Sequence, residues 1–310
     1  MPFLTYIGNF QDRSNKRFMD FSMLVIVGSI IVVCCVFGGY VLMGGHLGVL
    51  WQPYEILIIV GSGLGAFIIG NPMSVVKKVG SALGSALRGS RYKKDDYIEL
   101  LSMQFQVFKL AKAKGMLAIE SHVENPEESN LFAQFPGFYA NHHALTFLCD
   151  YLRMFSLGTE TPHEMEALMD EEIETHHHES AQIAGAVQTL ADSFSALGIV
   201  AAVLGVIHTM GSITEPPEVL GHLIGGALVG TFLGILISYG FVAPIATTLT
   251  ATYDAETKYY QCIRAGLLAY LQGYAPAISV EFARKALLSH VRPTFYEVEE
   301  AVSALPAVGT

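Results

Sequence analysis

The feature that most constrains this chain is where its basic residues are missing. Eighteen Lys and Arg residues occur, yet none lies between Arg17 and Lys77 and none between Arg153 and Lys258. Each gap contains two long apolar runs joined by a short loop. A bilayer core takes about 20 apolar residues per helix, and four runs meet that length: Phe21–Met43, Trp51–Gly70, Leu190–Gly211 and His222–Pro244. The loops Gly44–Leu50 and Ser212–Gly221 carry no Lys or Arg. Because basic residues are retained on the cytoplasmic side, this pattern predicts two hairpins with external tips. Both termini and the middle of the chain then face the cytoplasm. The expected organisation is a cytoplasmic segment 1–20, a first hairpin 21–70, a cytoplasmic helical domain 71–189, a second hairpin 190–244 and C-terminal cytoplasmic helices 245–310.

Charge and composition exclude several functions. The net charge is −10 with 52% hydrophobic and 15% charged residues. Much of the acidity lies in Glu164–Glu179, so no basic face is available to displace counterions from nucleic acid. The cysteines Cys34, Cys35, Cys149 and Cys262 form no CxxC and imply no disulfide framework. There is no Walker A motif and no GxSxG elbow, which leaves nucleotide hydrolysis and acyl transfer without a motif. His176, His177 and His178 are consecutive, whereas metal ligands on one helix face need a spacing of three or four. Glu172 with His176 has that spacing, as does many an ordinary solvated pair.

The segment between the hairpins reads as helical, with no sustained period-two alternation that would mark a strand. A helix is expected from Asp95 or Asp96 to Lys114, stopped by Gly115. Another is expected to start at Asn125-Pro126-Glu127-Glu128, where a cap, a proline and two acids fall in order. Phe135-Pro136-Gly137 should break the chain, and Ala140–Leu157 should form a helix ending at Gly158. Thr161-Pro162-His163-Glu164 is a capping box, and no proline follows it until Pro216. One helix should therefore run from there through the third span, at roughly 70 Å. The fourth span should continue past a kink at Pro244 towards Gly273. Short helices should follow Pro276 and Pro293. The fold class is thus an all-α membrane protein with four transmembrane helices in two hairpins and a helical cytoplasmic domain.

Small residues recur every fourth position in the spans: Gly226, Gly230, Gly234 and Ser238, with Gly221 and Gly225 beginning a parallel stripe. Gly198 with Ala202, Ala201 with Gly205, and Gly61 with Gly65 repeat the pattern. Such stripes let helices approach closely. They could pack the chain's own helices, but their extent favours packing around a partner helix. Ionisable groups inside a membrane mark ion paths; here Glu55, Asp192 and His208 lie near span ends and none falls midway. Thr231 is the main polar side chain near mid-depth of the fourth span. If the chain conducts ions, another chain must supply the carboxylate.

These residues resemble a known family. Glu166–Thr175, Gly198–His208, Val229–Leu236, Gly273–Pro276, Val36–Tyr40, Glu124–Pro126 and Ser279–Phe282 are similar, in order, to the flagellar motor stator family MotA, and the likeness covers about residues 20–300. It implies an inner-membrane, non-enzymatic subunit without a cofactor. It also implies a MotB-type single-span partner bearing the ion-binding Asp, and five copies of this chain around two of that partner. Ion flow would turn the ring, and the cytoplasmic domain would push the rotor switch protein FliG. Carried over by position, Lys112 and Glu120 fall on the rotor-facing basic and acidic sites. Lys stands where Arg is usual, keeping the charge but losing the planar fork. Pro244 matches one of two functional prolines, while Ser195 replaces the other. Thr231 matches a hydroxyl beside the ion path. Ala202 stands where sodium-driven relatives carry Thr, which implies a proton as the ion. The rival reading is an envelope energy transducer of the TolQ/ExbB type, but those relatives have three spans.

Overall fold

The computed structural model describes residues 24–86, 92–158 and 161–306. Among the described residues every regular element is helical. Four helices are long and apolar enough to cross a membrane: Leu24–Leu42, Leu47–Gly70, Pro162–Met210 and Pro217–Leu271. The segment 1–20 expected at the N-terminus lies outside the described residues.

The chain divides into two compact units. Among the described residues, one takes 24–86 and 179–252, the other 92–158, 161–178 and 253–306. We label α1 as Leu24–Leu42. The second crossing begins with a 3₁₀ turn, Leu47–Leu50, followed by α2. α2 comprises Pro53–Ile56, a π segment Leu57–Gly61 and Ser62–Gly70. α3 is Met73–Ala86. The first unit is completed by the later part of α8, Pro162–Met210, and by α9, Pro217–Ile237. A π segment, Ser238–Val242, then leads into α10, Ala243–Leu271.

The second unit holds α4 (Lys94–Lys114), α5 (Leu117–Glu124), α6 (Pro136–Tyr139) and α7 (His142–Leu157). The early part of α8 and the later part of α10 belong to it, as do α11 (Pro276–Lys285) and α12 (Phe295–Ser303). Its termini follow local chemistry. Gly115 and Gly158 stop α4 and α7 with φ of 83° and 71°, a backbone region costly for other residues. Thr161 and Glu164 form the reciprocal box that starts α8: Glu164 N–H donates to Thr161 Oγ1, and Thr161 N–H donates to Glu164 Oε2. Asn125 does not behave as expected. Its side chain caps nothing, and Pro126–Glu128 form only a 3₁₀ turn. The effective cap is Asn141, whose Oδ1 accepts from Ala144 N–H at the start of α7. Pro136 likewise opens the short α6 where a plain break was expected.

An aromatic and aliphatic core fills the second unit. Tyr97, Leu100, Leu101, Phe108, Phe132, Phe138 and Leu148 are fully buried in it. Tyr92, just before α4, stacks on Tyr259 at 4.2 Å, and Phe108 stacks on Tyr270 at 4.8 Å, which ties α10 to α4 and its entry. The His cluster is absorbed into this packing. His176 lies against the Tyr260 ring at 5.2 Å, and His177 Nδ1 is 3.0 Å from Thr257 Oγ1. Glu172 pairs with Tyr151, whose hydroxyl donates to it at 2.7 Å, and not with His176 as its spacing allowed. Arg284 is buried yet satisfied: it forks onto Glu281 at 2.6 Å through both Nε and Nη2 and donates to Pro293 O at 2.8 Å.

Candidate functional site

Within their apolar spans the membrane-length helices offer few polar contacts, so their packing rests on shape. α8 and α9 meet along a seam of small residues. A Cβ built on Gly234 would stand 2.7 Å from Gly198 Cα and 2.7 Å from Phe194 O, both backbone atoms that cannot rotate away. One built on Gly230 would meet Ala201 Cβ at 3.1 Å and Ala202 N at 3.2 Å, and one on Gly205 would meet Ala227 Cα at 2.9 Å. This corrects the expectation for the main stripe. Gly230 and Gly234 are used within the chain, to bring its own two helices into backbone contact, and Gly226 faces Gln52. The parallel stripe differs: Gly221, Gly225 and also Gly65 face open space. α1 joins this pair through Phe37 edge-on to Phe232, with ring centroids 6.3 Å apart.

The seam places two of the expected ion-path residues level with each other. Ala202 N lies beside Gly230, the residue before Thr231, and both Ala202 and Thr231 are half-buried. The Thr231 hydroxyl makes no hydrogen bond among the described residues. Its counterparts do: Thr209 donates to Gly205 O at 2.9 Å, Thr247 to Ala243 O at 3.1 Å and Thr250 to Ala246 O at 3.1 Å. Back-bonding to the preceding turn is the ordinary fate of a helical hydroxyl. Thr231 departs from it.

Pro244 and Ser195 are not brought together in the same way. Ser195 follows Phe194, whose carbonyl is at Gly234, whereas Pro244 is exposed and ten residues farther along. The expected disturbance at Pro244 is present as a local change of helix type. Pro lacks an N–H, so the carbonyl four residues before it loses its donor. The turn before it widens to the π segment Ser238–Val242, with Ala243 N–H donating five residues back to Ser238 O. Ser238 Oγ is buried there without a partner.

Glu55 falls near a span end by sequence, yet the structure gives it a different place. Its carboxyl group reaches into the seam. A Cβ on Gly230 would lie 2.5 Å from Glu55 Oε2, and one on Gly205 would lie 3.3 Å from Oε1. Oε2 is buried with no hydrogen-bond partner. One turn earlier, the Gln52 amide lies over Gly226 in the same manner, 3.1 Å from a Cβ built there. The available sequence signal was the absence of side chains at Gly205 and Gly230, which leaves room for a neighbour's carboxyl group.

In the second unit, Lys112 lies in the last turn of α4 and Glu120 in α5, across the Gly115 turn. Both are exposed, and neither forms an ion pair among the described residues. The neighbouring charges are engaged: Arg153 bridges Glu124 at 2.7 Å and Asp150 at 2.8 Å. Arg264 likewise binds Glu166 and Asp170.

Comparison with known proteins fits this architecture. Residues 26–115 match the family Motility protein A N-terminal, and residues 141–262 match the MotA/TolQ/ExbB proton channel family. The chain belongs to the MotA family. It is 47% identical to Motility protein A of Salmonella typhimurium over 283 residues, covering 91% of this chain and 96% of the relative. Chemotaxis protein LafT of Vibrio parahaemolyticus is 33% identical over 278 residues, covering 90% and 98%. The fold is that of a chain in the C. jejuni MotAB structure, with a TM-score of 0.72 at 21% identity over 87% of this chain and 97% of that one. A chain of the flagellar MotAB stator complex from Bacillus subtilis gives 0.65 at 25% identity, over 86% and 94%. This MotA-family chain is a multi-pass inner-membrane protein and a non-enzymatic stator component of the flagellar motor.

Proposed function

We propose that the chain, together with a MotB-type single-span partner, couples inward proton flow to torque on the rotor switch protein FliG. In this reading five copies surround two partner chains, and the partner's Asp is the main ion-binding group. Both termini and residues 71–189 face the cytoplasm, as the retention of Lys and Arg there requires. Ala202 and Thr231 line the path, and Lys112 with Glu120 meet the rotor. The π segment before Pro244 gives α9 and α10 a place to flex without a matching proline at Ser195.

The observation that carries this reading is the Thr231 hydroxyl. It is half-buried in an apolar span, next in sequence to the Gly230 that meets the Ala202 backbone, and unused by its own helix. A free hydroxyl there offers both a donor and an acceptor to water or to a passing ion. Thr231→Val keeps the branched shape and removes that group. In cells with this stator alone, the variant should assemble normally and swim more slowly. Swimming should also stop when the proton gradient is collapsed with the sodium gradient maintained. Unchanged speed in Thr231→Val, or sodium-sustained swimming, would count against the path and the ion respectively. A TolQ/ExbB-type envelope role would instead leave motility unaffected by loss of the chain.

A further inference from the structure

We propose that Glu55 is a second proton-exchanging site, carried by this chain itself on the loop side of its hairpins; the proposal rests on the stator reading above. Three observations point to it. First, the carboxyl group is not at the periphery of the helix pair: Oε1 and Oε2 lie against Gly205 on α8 and Gly230 on α9. Second, Oε2 is shut away from solvent and accepts no hydrogen bond. Third, Gly230 immediately precedes Thr231 and lies beside Ala202, so the carboxyl group packs one residue along α9 from the free hydroxyl. A carboxyl group in a membrane span without a partner is expensive and signals a path for ions or protons.

The surroundings offer no charge to hold it permanently. From α8 it meets Gly205; the next titratable side chain on that helix is His208, which is exposed. Thr209 cannot serve as a donor while its hydroxyl is bonded to Gly205 O at 2.9 Å. From α9 it meets Gly230, and the titratable groups before that, His222 and Glu218, are exposed near the helix start. On its own segment the neighbours are Gln52 and the exposed Tyr54. No Lys or Arg occurs anywhere from 18 to 76 or from 154 to 257. None within these stretches can therefore neutralise this carboxylate, and a bound proton would do so. Gly205 is five residues from the end of α8, roughly 8 Å along the helix. A hydronium ion entering from the loop side would form an O–H bond on Glu55 and release water. That bond would then break, the proton would pass through water or the Thr231 hydroxyl to the partner's carboxylate, and the Glu55 carboxylate would be restored.

The test uses the full stator complex in motile cells lacking any other stator, with torque per stator measured against external pH. Wild-type complex must restore swimming; if it does not, the stator reading fails and Glu55 is not at issue. Given restored swimming, E55Q should cut speed by roughly tenfold, less than the hundredfold or more that a positioned acid supplies where water cannot substitute. E55D should retain speed with a displaced pH profile. E55Q with wild-type speed and an unchanged profile would overturn the proposal. Should E55Q fail to reach the membrane, infrared difference spectra of the purified complex at two pH values decide. A pH-dependent carboxylic-acid band that moves in E55D supports the site, and no band affected by E55D overturns it.

Discussion

The two units of this chain solve the packing problem with different materials. The unit built from α4 to α7 and α11 to α12 uses bulk: fully buried Tyr97, Phe108, Phe132 and Phe138, stacked rings and engaged ion pairs. The unit containing α1, α2 and the later part of α8 does the opposite. Its outward side chains are large and apolar, with Ile199, Val203 and Ile207 exposed, while the α8–α9 seam at its centre brings Gly onto Gly. Water explains the difference. Where water is the solvent, burying apolar area drives packing. Where lipid is the solvent, apolar area gains nothing by moving inward, so helices associate through close backbone approach. Buried polar atoms do not divide in the same way: Glu55 Oε2 and Ser238 Oγ lack a hydrogen bond in the membrane-length unit, and so do Gln104 Oε1 and Arg264 Nε in the other.

This contrast can be broken most readily at the seam. Gly234→Ala forces a methyl group to within 2.7 Å of Gly198 Cα. Overpacking of that kind costs about 1–3 kcal/mol, so the purified complex should melt earlier and membrane levels should fall. Gly65→Ala, which meets nothing within 4 Å, should leave melting unchanged. If both variants behave alike, the seam is not what holds the hairpins together.

A smaller effect concerns acid stability in the other unit. Lys94 Nζ lies 2.6 Å from Glu297 Oε1, and the N–H and hydroxyl of Thr294 also bind that carboxylate. These contacts, Lys94 foremost, hold Glu297 at about 2 against an ordinary 4.5. A depressed carboxyl value adds stability that is fully present above the unfolded value and is lost as pH falls through the folded one. The window here runs from about 4.5 down to about 2. Lys94→Ala should raise the pH at which α12 loses protection, read by amide hydrogen exchange over residues 295–303. Above pH 5 the contribution is fully present but small, because both partners are well exposed.

The smallest effect on stability should come from Lys112 and Glu120. Exposed and without ion-pair partners among the described residues, they should tolerate charge reversal within about 0.5 kcal/mol. Lys112→Glu and Glu120→Lys should nonetheless impair swimming at normal membrane levels. Normal motility in both, and in the double reversal, would remove the rotor contact from these positions.

The sequence by itself determined the helical class, the four membrane-length runs and most helix ends. It could do so because these depend on local chemistry: a run of apolar residues, the Thr161–Glu164 box, and glycines at positive φ such as Gly115. It also carried the family resemblance through Glu166–Thr175 and Val229–Leu236. Only the tertiary structure decided which glycine stripe is spent on the chain's own helices and which stays open. A span that is apolar on every side has no periodicity to say what lies against each face. For the same reason Glu55 read as a span-end charge until α8 and α9 were seen to close around it. Whether Thr231 bonds to its own backbone was equally undecidable, because helical threonines such as Thr209 and Thr231 look alike in sequence and differ only in where the hydroxyl turns.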